Sequence, residues 1–146
     1  MAESLSIGGK SPRTFFDANL LVYSDDVRDP VKQQIAVGLI AEHLRQRSGV
    51  LSLQVLQEYF VAATRKAKLD AALARIRVEI FSNFQLVEPN LQDVLAAIDL
   101  HRLQRLSYWD ALIIRSAERS GCTVLLTEDM QHDRVINGVR IVNPFL

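Results

Sequence analysis

Thr14-Phe15-Phe16-Asp17-Ala18-Asn19-Leu20-Leu21-Val22-Tyr23 decides the fold. It begins as a short run of β-branched and aromatic residues, which predicts a buried strand. It then passes through an acid, a small residue and Asn19 into a new apolar run, which predicts a helix. A carboxylate at the end of a first strand, directly before a helix, stands where open α/β sheets bind ligands. Taken alone, Asp17 is equally well explained as an N-cap. Three further acids, each near the start or end of an element, carry the reading beyond a cap.

Outward from this stretch, Asp29-Pro30 is a helix start, and Ile35, Leu39, Ile40 and Leu44 mark one apolar face behind it. Gly49 closes that helix and Val50-Leu51-Ser52 forms a strand. The next helix runs over 53–68, with Leu56, Tyr59, Phe60 and Ala63 as its core stripe and Glu58 inside the apolar segment. Asp70 caps a helix reaching Phe81, and a strand over 84–87 ends before Pro89. Asn90 caps a helix whose apolar residues are Leu91, Val94, Leu95, Ile98 and Leu103. Ser107 with Asp110 three residues on is close to a capping box, and that helix stops at Gly121. A buried strand over 123–127 leads into Glu128-Asp129, and 139–142 is the last strand. Strands alternating with helices predict a three-layer α/β/α fold with a central parallel sheet.

Residues 13–146 read as a single domain behind a loose polar tail over 1–12. The formal net charge is zero, so a nucleic-acid partner must be held by a local patch. Arg65, Lys66 and Lys68 cluster at one helix end, with Arg13, Arg28, Lys32, Arg115 and Arg134 elsewhere. Cys122 is the only cysteine, which excludes an internal disulfide and a Cys-His zinc framework. No apolar run spans a bilayer and no secretory leader is visible, which predicts a cytoplasmic protein.

Asp17 and Asp129 fall just past strand ends, Asp110 opens the helix that feeds the Asp129 strand, and Glu58 lies in the helix after the second strand. Drawn to one sheet edge, four carboxylates repel one another unless protons or a cation neutralise them. A hard divalent ion such as Mg²⁺ suits all-oxygen ligands and supports phosphodiester chemistry. Competing signals are weak. His43 and His101 read as helix-surface residues, His132 lies near the acids without an evident partner, and Gly8-Gly9 lacks the setting of a phosphate loop.

Phe16 to Tyr23, the helical Glu58, Tyr108-Trp109-Asp110-Ala111-Leu112-Ile113 and Leu126-Thr127-Glu128-Asp129-Met130 together resemble the PIN-domain ribonucleases. The nearest likeness is to the VapC toxins of bacterial toxin–antitoxin pairs. The resemblance implies an endoribonuclease, dependent on Mg²⁺ or Mn²⁺, that cuts single-stranded RNA. It implies Asp17 and Asp110 as main metal ligands, with Glu58 and Asp129 holding waters or a second ion. Asn19 and Thr127 match the supporting residues, and Glu128 and Asp133 compete for the fourth acid's role. Strand alternation favours Asp129 beside Thr127, with Glu128 turned away and Asp133 within reach one helical turn on.

The resemblance further implies a two-fold homodimer, silenced by an antitoxin that covers the cleft. The Leu53–Phe60 and Leu39–Leu44 faces are candidate surfaces for that partner, against the plainer reading of core packing. Two other readings stand beside this one. One is a non-catalytic PIN-like module that binds RNA or protein. The other is a Mg²⁺-dependent phosphohydrolase with Asp17 as nucleophile, although Asn19 replaces the second acid of such sites and no lysine follows Lys68.

Overall fold

The computed structural model describes residues 10–146. The expected loose tail over 1–12 lies largely outside them; within it, Ser11 is buried and its backbone N–H donates to Gln46 Oε1.

In chain order the elements are β1 (Thr14–Phe16), α1 (Ala18–Tyr23), α2 (Pro30–Gln46), β2 (Gly49–Ser52), α3 (Leu53–Arg65), α4 (Ala71–Phe81), β3 (Gln85–Val87), α5 (Leu91–Gln104), α6 (Tyr108–Arg119), β4 (Val124–Leu126), β5 (Val135–Ile136) and β6 (Val139–Val142). The strands form one sheet in the order β3-β2-β1-β4-β6-β5. Every pairing is parallel except β5 with β6. The fold is the expected three-layer α/β/α. Strand order reverses between β1 and β4, and the carboxyl ends on either side of that reversal form the crevice where such sheets bind ligands.

β1 and β4 are buried on both faces because they lie in the middle of the sheet. Phe15, Phe16, Leu125 and Leu126 are fully buried there, and Phe16 packs on the rings of His43 and Phe84. Gly49 lets β2 begin against Phe84: a Cβ at that position would fall 2.0 Å from the ring. Helix α6 is enclosed by the core, with Ala111, Leu112, Ile113, Ile114, Ser116 and Ala117 all buried. Its start is pinned by Ser107, which accepts from Asp110 N–H at 3.1 Å. Asp93, with no exposed side-chain surface, ties α5 to α6 through Arg115 at 3.0 Å and Arg119 at 2.8 Å.

Three expectations need correction. β5 was absent from the sequence reading; it pairs with β6 across the two-residue turn Asn137-Gly138, both at positive φ (50° and 80°), as a tight hairpin requires. Helix α5 turns most of its apolar residues outward. Leu91, Leu95, Ile98 and Leu103 are exposed, and Asp93, Ala97 and Leu100 face inward. His43 is not on the helix surface: it is 0% exposed, with Nδ1 2.7 Å from Ser48 Oγ. Leu39 and Leu44 pack against the core, whereas Phe60, expected in the core stripe of its helix, is exposed beside the stripe's buried members Leu56, Tyr59 and Ala63. Among the described residues no helix is long and apolar enough to cross a membrane.

Candidate active site

Asp17 ends β1 and caps α1 at once. Its backbone N–H continues the sheet to Leu126 O at 3.0 Å, and its Oδ1 accepts from Ala18 N–H at 2.8 Å. Its Oδ2 accepts from the Thr127 hydroxyl at 2.8 Å, across the β1–β4 seam. Thr127 Oγ1 in turn accepts from Asp129 N–H at 3.1 Å and from Asn19 Nδ2 at 3.2 Å. Asn19 Nδ2 also donates to Asp129 Oδ2 at 3.0 Å, while Asn19 Oδ1 receives Glu128 N–H at 3.2 Å. The loop after β4 is thereby stitched to the first turn of α1, so Asn19 and Thr127 orient the acids on both sides of the seam.

Asp17, Glu58, Asp110 and Asp129 line one pocket of about 390 Å³. Glu58 enters from the middle of α3 and Asp110 from the first turn of α6. Burial raises the Asp17 carboxyl to about 6, opposed by its hydrogen bonds to Thr127 and Ala18 and reinforced by the charges of Glu58 and Asp129. Burial also raises Glu58, with Asp110 and Asp129 adding repulsion, and raises Asp110, with Asp129 adding repulsion. Each of the four therefore takes part in at least one repulsive pair with another.

Glu128 lines the same pocket, yet its carboxylate is taken: Tyr23 Oη donates to it at 2.6 Å and Lys32 Nζ forms an ion pair with it. The expectation that it turns to solvent or the loop is thus replaced by a latch onto α1 and α2. Asp133 sits at positive φ (67°) and is paired with Arg140, which donates from Nε at 2.9 Å. It does not line the acidic pocket. His132 has partners after all: Nδ1 accepts Asn143 N–H at 3.0 Å and Nε2 lies 3.3 Å from Asp133.

Of the basic residues singled out in the sequence, Arg28 and Lys66 reach the pocket. Arg28 is held on Asp26 at 2.8 Å. Arg115 is bound to Asp93, Arg134 to Gln104 and Arg13 to Ser120 O, so these serve the fold. The sequence reading missed Asp26, buried at the pocket wall, and the Tyr23–Lys32 latch. The lysine lies nine residues beyond the tyrosine, at the start of the next helix, a separation without a local pattern to flag it.

Among the described residues no three His, Cys, Asp or Glu side chains stand together as a ready-made metal cage. The donor set is nonetheless all oxygen, partly desolvated and mutually repelling. That suits a hard divalent ion that keeps several of its own waters, as Mg²⁺ does.

A profile of the PIN domain matches residues 14–137. The chain belongs to the PIN domain family. No curated protein matches the sequence. Among solved structures, this PIN domain is similar to VapC20 of Mycobacterium tuberculosis, described as a sarcin-ricin loop cleaving toxin. The two share 17% identity with a TM-score of 0.63, over 77% of this chain and 86% of that one. That likeness confirms the PIN fold.

Proposed function

We propose that the protein is a divalent-metal-dependent endoribonuclease that cleaves single-stranded regions of RNA, and that it acts as the toxin of a toxin–antitoxin pair. The observation that carries this reading is the convergence of Asp17, Glu58, Asp110 and Asp129 on one pocket at the β1–β4 switch point of a PIN fold. The similarity to a structure described as a sarcin-ricin loop cleaving toxin supports the same reading.

In this reading Asp17 and Asp110 hold Mg²⁺ or Mn²⁺, and Glu58 and Asp129 hold waters around it or a second ion. The ion supplies charge neutralisation at the scissile phosphate and acidifies water for attack. Thr127 keeps the Asp17 carboxylate aimed by donating to Oδ2, and Asn19 keeps Asp129 turned toward the pocket. Lys66, which lines the pocket, supplies positive charge for the RNA backbone. Asp17 as a covalent nucleophile fits less well, because Asn19 stands where such sites carry a second acid and no lysine follows Lys68.

The antitoxin would lie on the apolar groove between α3 and α4. This groove of about 810 Å³ is lined by Leu53, Leu56, Phe60, Val61 and Val78 and continues the expected Leu53–Phe60 face. Incubating the purified protein with a panel of end-labelled RNAs tests the reading. Internal cuts that need Mg²⁺ or Mn²⁺ and stop with EDTA support it; cleavage undiminished by EDTA, or none in any RNA, contradicts it.

A further inference from the structure

Trp109, the chain's one tryptophan, is 59% exposed. It is the most exposed of the chain's aromatic side chains, ahead of Phe60 at 37%, whereas Tyr59, Phe15, Phe16 and Phe81 are fully buried. A tryptophan left largely in water forgoes the burial that normally stabilises it. Within the described residues its only ring contact is with Tyr108, edge-on at 5.1 Å and 74°. That contact occupies at most one face of the indole. The indole N–H has no hydrogen-bond partner among the described residues.

Its place is specific. Helix α6 runs back across the layer to feed β4, so its first turn lies at the carboxyl edge of the sheet, where the acids gather. Asp110, the next residue, lines the acidic pocket. Adjacent Cα atoms are about 3.8 Å apart, and successive helical side chains diverge by about 100°. Trp109 therefore flanks the pocket rather than entering it. Arg105, exposed and without an ion-pair partner among the described residues, precedes it on the same connection, and Lys66 lies in the pocket itself. Positive charge interleaved with an open aromatic face is how proteins hold single-stranded nucleic acid without reading its sequence. The exposed positions that precede Trp109, Arg105 and Ser107, are polar, while Leu106 and Tyr108 between them pack against the core; the α3–α4 groove has an apolar lining instead. A protein partner would want a contiguous apolar patch, which these neighbours do not supply.

We propose that Trp109 is the stacking platform for an unpaired base of the RNA substrate, seated beside the phosphate that the acids receive. This rests on the nuclease reading above and extends it to a contact outside the acidic pocket.

The single tryptophan makes the test direct. In the full chain carrying Asp17→Asn to prevent turnover, a short oligouridylate and an abasic strand of the same length are titrated. Tryptophan emission and the anisotropy of the labelled strand are followed together. The expected result is a saturable emission change with the oligouridylate, absent or much smaller with the abasic strand. Adding Trp109→Ala should weaken oligouridylate binding by about tenfold, the usual scale for one stacked base, and Trp109→Tyr should recover most of it.

Binding seen by anisotropy with no emission change, or with equal affinity after Trp109→Ala, overturns the platform and leaves the nuclease reading standing. Failure of any RNA to bind overturns both. Emission that changes with protein concentration but not with RNA overturns the platform in favour of a protein contact.

Discussion

The Thr127 hydroxyl donates to Asp17 Oδ2 at 2.8 Å, joining the ends of β4 and β1. The direction of this bond is forced. Asp129 N–H and Asn19 Nδ2 both point donors at the same oxygen, so its one proton goes to Asp17. Thr127→Val keeps the shape and removes that proton. It should cost about 1–2 kcal/mol of stability, through donors left unpaired. Cleavage should fall by about 10–100-fold, as when a partner of a ligand is lost. Thr127→Ser should retain most of both. Urea melts and single-turnover rates on the two variants check this.

Asp17→Asn should abolish cleavage and stabilise the metal-free protein at neutral pH. Burial raises this carboxyl from 3.8 to about 6 in the folded chain. Folding therefore favours the protonated form. The stability this group contributes is complete below about 3.8 and is lost as pH rises through about 6. At pH 7 the ionised, crowded carboxylate is a net cost, and the amide removes it, for a gain of up to about 3 kcal/mol. Thermal melts across pH should show the gain above the raised value and its disappearance in acid. Saturating Mn²⁺ should raise the melting temperature of the wild type more than that of the variant.

The acids after β4 should separate in a definite order. Asp129→Asn should cost most in turnover, because Asp129 lines the pocket and Asn19 aims it there. Glu128→Gln should come second and act at a distance. Losing charge against Lys32 loosens the latch that holds the same loop, so the Mg²⁺ requirement should rise. Lys32→Met should reproduce that effect. Asp133→Asn should change turnover least, since Asp133 is engaged by Arg140 outside the pocket. Single-turnover rates over a Mg²⁺ titration rank them.

His43 should make the fold sensitive to acid. Burial lowers its imidazole below the ordinary 6.5, only partly offset by the nearby charge of Glu42. The neutral ring is the folded form, so stability is present above 6.5 and is lost as pH falls below it. His43→Leu removes this titration and should flatten the loss of melting temperature below that pH, whatever it costs in the Ser48 contact.

The gathering of the four acids at one pocket was more legible in the sequence than parts of the fold. Asp17, Asp110 and Asp129 stand at or beside element boundaries, which the order of elements carries to one edge, and Glu58 stood out as an acid inside an apolar helix segment. Helical spacing does not show which face of α5 packs: Leu91, Leu95 and Ile98 sit on the outer one. The face that packs is built around Asp93, a charge that becomes a core residue only because Arg115 and Arg119 reach it from another helix. His43 misled for a similar reason, since its burial depends on Phe16 and Ser48, both distant from any local pattern. The β5–β6 hairpin did have a local signal in Asn137-Gly138, but its strand of two residues is too short for alternation to show.

In the proposed reaction the four acids act together on a divalent ion to cut RNA. The most direct test is single-turnover cleavage of a single-stranded RNA against Mn²⁺ concentration, for wild type and Asp110→Asn side by side. Internal cleavage by the wild type should saturate with Mn²⁺. The Asp110→Asn variant should cleave at least about 100-fold more slowly, or show a curve displaced to much higher Mn²⁺. Superimposable curves for the two proteins, or wild-type cleavage that is independent of Mn²⁺, would rule out joint action of the four acids on an ion.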